Sequence, residues 1–168
     1  MQSRRRSRMR RKKIIILGST GSIGENAVKV ASHLKDNVSV VGLAALSGYK
    51  KIAQQAEILG CKNLALANNS SADSLERCAP QGSKIFREAD GILDMIRKSD
   101  AELVLCAIVG TAGLFPVIES LKLGKNVALA SKEVLVLAGE HTMRTARENA
   151  ASIIPVDSEH SAIFQCME

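Results

Sequence analysis

Residues 13–24, KIIILGSTGSIG, constrain the fold more than any other stretch of this 168-residue chain. Ile14, Ile15, Ile16 and Leu17 are too few for a helix and suit a strand buried on both faces. Gly18, Gly21 and Gly24 follow at intervals of three. At such positions a backbone can turn tightly, approach a phosphate with no Cβ in the way, and pack closely on a neighbouring strand. A helix over residues 22–34 would aim its free N–H groups and positive dipole end at a pyrophosphate. The spacing is G-x-x-G-x-x-G rather than G-x-G-x-x-G, so the loop alone leaves two readings open, a dinucleotide site and a structural strand-to-helix turn. A strand expected over residues 38–44 completes a βαβ unit and favours the first.

The alternation continues. Helices are expected over residues 50–59, 71–78, 88–98, 111–123 and 133–150, and strands over 63–67, 83–87, 102–109, 126–130 and 152–156. Residues from 158 onward read as helical. Nearly unbroken apolar strands between helices predict an α/β fold, a doubly wound parallel sheet covered on both faces. In such sheets ligands sit beyond the carboxyl ends of the strands. Those ends lead here into GSTGSIG, into Ser47-Gly48-Tyr49-Lys50-Lys51, into Val109-Gly110, into Ser131-Lys132-Glu133 and into Asp157-Ser158-Glu159-His160. Three regions are expected: a basic disordered arm over 1–12, a Rossmann-like NADP-binding domain over 13–150, and the start of a truncated catalytic, metal-binding domain over 151–168.

The net charge of +6 is unevenly spread. Residues 1–13 hold six arginines and two lysines with no acid, while the remainder has 15 basic and 17 acidic residues and so carries −2. A basic arm can bind nucleic acid, but this one has no interleaved aromatics, and a solvated tail or an over-extended gene start is the simpler expectation. It is too poor in hydroxyl residues for a transit peptide. No apolar run reaches the roughly 18 residues of a membrane span, and Cys61, Cys78, Cys106 and Cys166 form no C-x-x-C pair. A cytoplasmic protein with reduced thiols and no membrane partner is expected.

An NAD-preferring fold usually places an acid about 20 residues beyond the glycine loop to hold the ribose 2′-hydroxyl. Residues 41–47 contain none, and Ser47, Lys50 and Lys51 follow. These could hold a 2′-phosphate, which favours NADP, or the lysines could belong to a solvated first helical turn. Ser131 could cap the next helix with Glu133 near its positive end, or Lys132 could meet a substrate phosphate or polarised carbonyl in the cleft. Asp157 and Glu159, two apart after an extended segment, could share a hard cation such as Mg²⁺ or Mn²⁺, or could cap a helix. His160 is open to the roles of base, ligand neighbour or plain helix residue.

Taken together, GSTGSIG, AIVGTAGL (107–114), ALASKEVLVLAG (128–139) and PVDSEHSAIFQ (155–165) closely resemble the 1-deoxy-D-xylulose 5-phosphate reductoisomerase family, in order and in spacing. The resemblance implies an NADPH-dependent and divalent-metal-dependent rearrangement and reduction of that sugar phosphate to 2-C-methyl-D-erythritol 4-phosphate in non-mevalonate isoprenoid synthesis. The metal would chelate the substrate's oxygens as a Lewis acid and leave an aldehyde for hydride transfer. Carried over position by position, the resemblance assigns Thr20, Gly21, Ser22, Ile23, Ser47, Gly48, Ser131 and Glu133 to the cofactor. It assigns Lys132 and Ser158 to the substrate and Asp157 and Glu159 to the metal, with Lys132 and Glu159 as catalytic residues. It also implies a homodimer. The family usually has Asn where this chain has Ser131, and its second-strand loop commonly reads Gly, Ser or Lys, Asn where this chain has Leu46, Ser47 and Gly48.

Family members are much longer, so the 168 residues alone are expected to bind NADPH without turning over substrate. Two other readings compete. A reductase of the aspartate-semialdehyde dehydrogenase type needs an activated cysteine, whereas Cys106 falls inside a strand. A non-catalytic nucleotide-binding module has only the basic arm and the short length in its favour.

Overall fold

The structure, a computed structural model, describes residues 10–156. Among these residues seven strands form one all-parallel sheet in the order β4-β3-β2-β1-β5-β6-β7. They are β1 (Lys12–Leu17), β2 (Val38–Ala45), β3 (Asn63–Leu66), β4 (Lys84–Arg87), β5 (Leu103–Cys106), β6 (Asn126–Leu129) and β7 (Ile153–Pro155). The helices between them are α1 (Ser22–His33), α2 (Tyr49–Leu59), α3 (Asn69–Cys78), α4 (Glu88–Lys98), α5 (Leu114–Lys122) and α6 (Glu133–Glu148).

The two-sided burial of β1 follows from its sequence, because successive side chains leave a strand on opposite faces. Ile14 and Ile16 pack with Val28 of α1, Ile52 of α2 and Leu75 of α3. Ile15 and Leu17 pack on the other side with Ile92, Met95 and Ile96 of α4. A third cluster joins Cys106, Val127 and Leu129 to Val117 and Leu121 of α5 and Val134 of α6. Ile15, Ile16 and Leu17 are fully buried. The chain winds outward from β1 through β4, returns across the sheet by α4, and resumes at β5 on the other side of β1. The strand order therefore reverses between β1 and β5, where open α/β sheets leave a crevice for ligands.

The expected α/β fold is the observed one, with three local differences. The strand expected to run to Val109 leaves the sheet after Cys106. Ala107 N–H still donates to Leu17 O at 2.9 Å, but the chain then turns away and Val109 is 86% exposed. The helix expected from Thr111 begins as a 3-10 turn at Gly110–Gly113 and becomes α-helical only at Leu114. The helix expected over 133–150 ends at Glu148 and is kinked at Ala138, whose φ of −145° is non-helical. The Thr142 hydroxyl donates to Ala138 O at 2.7 Å, a back-bond of the kind that bends helices.

Candidate functional site

The three glycines of the β1–α1 loop have three different jobs. Gly18 has φ +78°, and a Cβ there would lie 2.5 Å from Ala107 O, at the switch between β1 and β5. Gly24 sits inside the first turn of α1, where a Cβ would lie 2.1 Å from Gly18 O and 2.6 Å from Ser19 Cα. Gly21 is different: it is exposed, its backbone is extended (φ −81°, ψ 171°), and a Cβ would meet nothing nearer than Gly18 O at 3.5 Å. Two glycines thus serve the fold, while the third keeps the mouth of the loop open.

Gly21 is also the N-cap residue of α1 and has no side chain to satisfy the helix's first amides. The first intrahelical donor is Glu25 N–H, to Gly21 O at 2.8 Å. The preceding amides of the exposed Ser22 and Ile23 stand at the helix's positive end with no side-chain cap. Inside the loop, Gly18 N–H and Ser19 N–H both donate to Ala44 O, at 2.8 and 2.9 Å, tying the loop to the end of β2.

The β2 end closes against the same loop. Gly48 lies beside Thr20, with space for a Cβ only 3.2 Å from Thr20 Cγ2, and Ser47 is exposed next to it. Lys51 does not stand free as a 2′-phosphate ligand: its ammonium pairs with Glu25 and lies 3.4 Å from Thr20 O. Lys50 is exposed, 6.0 Å over the Tyr49 ring. From α2, the buried Gln55 donates its Nε2–H to Ser19 O at 2.8 Å. This contact could be suspected from sequence only because Gln55 interrupts the apolar stripe of Ile52, Ala53 and Ala56.

Beside the loop, a cleft of about 470 Å³ opens at the carboxyl ends of β2, β3 and β5. Its walls include Gly18, Ala44, Leu46, Ile108 and Phe115, and among the described residues lining it Asp90 is the one that is charged. An apolar slot abutting a ring of backbone donors suits a flat aromatic base with a phosphate attached.

Ser131, Lys132 and Glu133 lie where β6 hands over to α6. Of the two readings open for this stretch, the cap by Ser131 is not made. Lys132 occupies the N-cap position with helical angles (φ −63°, ψ −24°), which puts Ser131 one residue too early. The Ser131 hydroxyl instead donates to Glu133 Oε2 at 2.8 Å and reaches Gly110 O at 3.5 Å. Glu133's own backbone N–H, then the Ser131 hydroxyl, hold its carboxyl below the usual carboxylate range. Lys132 is exposed. Among the described residues no hydrogen bond links this group to the glycine loop.

Asp157, Ser158, Glu159 and His160 lie outside the described residues, directly after Val156. Among the described residues no three His, Cys, Asp or Glu side chains gather as a metal site, and no helix is long and apolar enough to cross a membrane.

The cysteine-nucleophile reading finds no suitable thiol among the described residues. Burial pushes Cys61 and Cys106 up to about 11, while Cys78 is exposed on α3. The native fold therefore keeps two thiols protonated that an unfolded chain would ionise from about pH 8.5 upward. Stability should fall as pH rises from about 9 to about 11, since only the unfolded state loses those protons. A thiol-specific dye should label Cys78 in the folded protein but reach Cys61 and Cys106 only on unfolding; rapid labelling of Cys106 in the native state would contradict this.

Comparison with known proteins settles the lineage. The family model for 1-deoxy-D-xylulose 5-phosphate reductoisomerase matches residues 14–139. The chain belongs to this reductoisomerase family. A relative from Protochlamydia amoebophila named 1-deoxy-D-xylulose 5-phosphate reductoisomerase is 43% identical over 156 residues, which are 93% of this chain and 40% of the relative. The reductoisomerase of Zymomonas mobilis, solved in complex with NADPH, matches with TM-score 0.89 and 34% identity over 94% of this chain and 41% of that one. A further reductoisomerase, solved with NADPH, fosmidomycin and magnesium, matches with TM-score 0.87 and 29% identity over 92% of this chain and 38% of that one. This chain thus spans about 40% of the length of such reductoisomerases.

Proposed function

We propose that this chain carries the NADPH-binding part and the first metal carboxylates of a 1-deoxy-D-xylulose 5-phosphate reductoisomerase. The open mouth of the glycine loop at Gly21, above uncapped amides, is the observation that supports it most. In this reading the pyrophosphate sits over Thr20, Gly21, Ser22 and Ile23, where backbone donors and the α1 dipole offset its charge. The adenine occupies the apolar cleft walled by Leu46, Ile108 and Phe115. Ser47 and Gly48 border the 2′-phosphate, with the exposed Lys50, which makes no ion pair among the described residues, as the source of positive charge, because Lys51 is engaged with Glu25.

Bound NADPH supplies the hydride, and a divalent cation, Mg²⁺ or Mn²⁺, supplies Lewis acidity. Asp157 and Glu159, following the β7 strand, are the proposed metal carboxylates, and residues 151–168 open the catalytic part. Lys132 and Ser158 hold the substrate, with Lys132 and Glu159 as catalytic residues. Ser131 and Glu133 complete the cofactor side. The exposed Lys132 ammonium beside the β6 end can neutralise a sugar phosphate, and the Ser131 to Glu133 hydrogen bond fixes the turn that presents it. The whole enzyme acts as a cytoplasmic homodimer.

The 168 residues by themselves are expected to bind NADPH and leave 1-deoxy-D-xylulose 5-phosphate unreduced. A loss of nicotinamide absorbance that requires both the sugar phosphate and Mn²⁺ would show that they turn over unaided. Binding of the sugar phosphate that strengthens with Mn²⁺, and loses that response in Asp157→Asn, supports the metal assignment; a response that survives the substitution counts against it.

A further inference from the structure

Gln55 is costly where it stands. It is 6% exposed, its Nε2 makes one hydrogen bond, to Ser19 O at 2.8 Å, and its Oε1 has no partner among the described residues. Ser19 is fully buried, and its hydroxyl is likewise without a partner among them. An apolar side chain of the same length would fill the stripe between Ile52 and Ala56 without burying an unpaired amide oxygen. Core packing therefore gives no reason for a glutamine at this position. The single bond it makes spans 36 residues and ends on the loop that connects β1 to α1.

That bond has a directional consequence. The chain has no cis peptide among the described residues, and in a trans peptide C=O and N–H point in opposite directions. Holding Ser19 O toward the buried amide of Gln55 turns Thr20 N–H the opposite way, away from Gln55. Thr20 N–H has no hydrogen-bond partner among the described residues, whereas Gly18 N–H, Ser19 N–H and Gly21 N–H each have one. Lys51, one helical turn before Gln55, reaches Thr20 O from the same helix. The α2 helix thus holds the two peptides that flank the Thr20 Cα, the first of which carries the Thr20 amide.

We propose that Gln55 is a positioning residue for the cofactor: it fixes the Ser19–Thr20 peptide so that the Thr20 amide is presented as a ready-aligned donor to the dinucleotide's pyrophosphate. This rests on the NADPH reading above and goes beyond it by assigning the alignment to a side chain that touches no ligand. Preorganisation of this kind lowers the cost of ordering the loop on binding.

The test compares the 168-residue chain with Gln55→Leu and Gln55→Met, both of which keep an apolar filling for the stripe and carry no donor for Ser19 O. Each is titrated calorimetrically with NADPH and with adenosine 2′-monophosphate, which has the base and the 2′-phosphate but no pyrophosphate. Both variants should bind NADPH about tenfold more weakly, the scale of one misaligned hydrogen bond to a charged group, with binding of adenosine 2′-monophosphate unchanged. Wild-type-like NADPH affinity in both variants would overturn the positioning role alone. Equal losses for both ligands would assign Gln55 a merely structural role. Failure of the wild-type chain to bind NADPH would overturn the underlying reading, and the proposal with it.

Discussion

Gly21→Val should leave the chain folded and reduce its affinity for NADPH by at least about 100-fold, or about 2.7 kcal/mol. The fold tolerates the change because Gly21 has extended angles open to any residue, and a Cβ would meet nothing within 3.4 Å. Valine is a poorer N-cap than glycine, so a stability loss of about 1 kcal/mol or less is expected. The effect on binding is much larger because the isopropyl group fills the space in which a pyrophosphate would meet the amides of Ser22 and Ile23. Calorimetric titration together with a thermal melt separates the two effects. Unchanged NADPH affinity in a folded Gly21→Val would place the pyrophosphate elsewhere.

Gly24→Ala should do the reverse and act through the fold. Alanine in place of glycine ordinarily stabilises a helix by about 1 kcal/mol. Here the added methyl would stand 2.1 Å from Gly18 O and 2.8 Å from Gly18 C, and these are backbone atoms that cannot rotate aside. The first turn of α1 must move off the loop, and overpacking of that kind costs up to about 3 kcal/mol or more. For a domain of this size that corresponds to a fall in melting temperature of roughly 6–12 °C. NADPH affinity should fall as well, because the displaced helix carries the loop's amides with it. A melting temperature equal to or above that of the wild type would show that α1 does not pack on the loop as described.

The contrast between Gly21 and Gly24 also shows how far the sequence can be read. The apolar run of Ile14, Ile15, Ile16 and Leu17 makes β1 legible, because only a central parallel strand buries consecutive side chains on both faces. The glycine spacing makes the loop legible too, but which glycine serves which purpose depends on Ala107 lying against Gly18 and on how tightly the loop folds back on Gly24, and neither has a mark in local sequence. The overlong β5 has a similar cause. Ile108 and Val109 extend an apolar run that looks like more strand, yet Val109 is 86% exposed once the chain turns toward α5.

Ser131 shows the reverse limit. A serine ahead of a helix reads as a cap, and only the helical angles of Lys132 reveal that the helix has already begun to form. Lys51 read as a candidate for a 2′-phosphate because its partner, Glu25, lies 26 residues upstream on another helix. Gln55 is the hardest to read, since a buried amide signals a role only when its bond to Ser19 O is known.

The most direct measurement is a calorimetric titration of the 168-residue chain with NADPH and, separately, with NADH, on protein shown by circular dichroism to be folded. The end of β2 offers no acid for a ribose 2′-hydroxyl, and its Leu46-Ser47-Gly48 loop leads directly to the exposed Lys50. Tighter binding of NADPH than of NADH is therefore predicted. Equal or tighter binding of NADH, or no binding of either by the folded chain, would contradict the assignment of this crevice to NADPH.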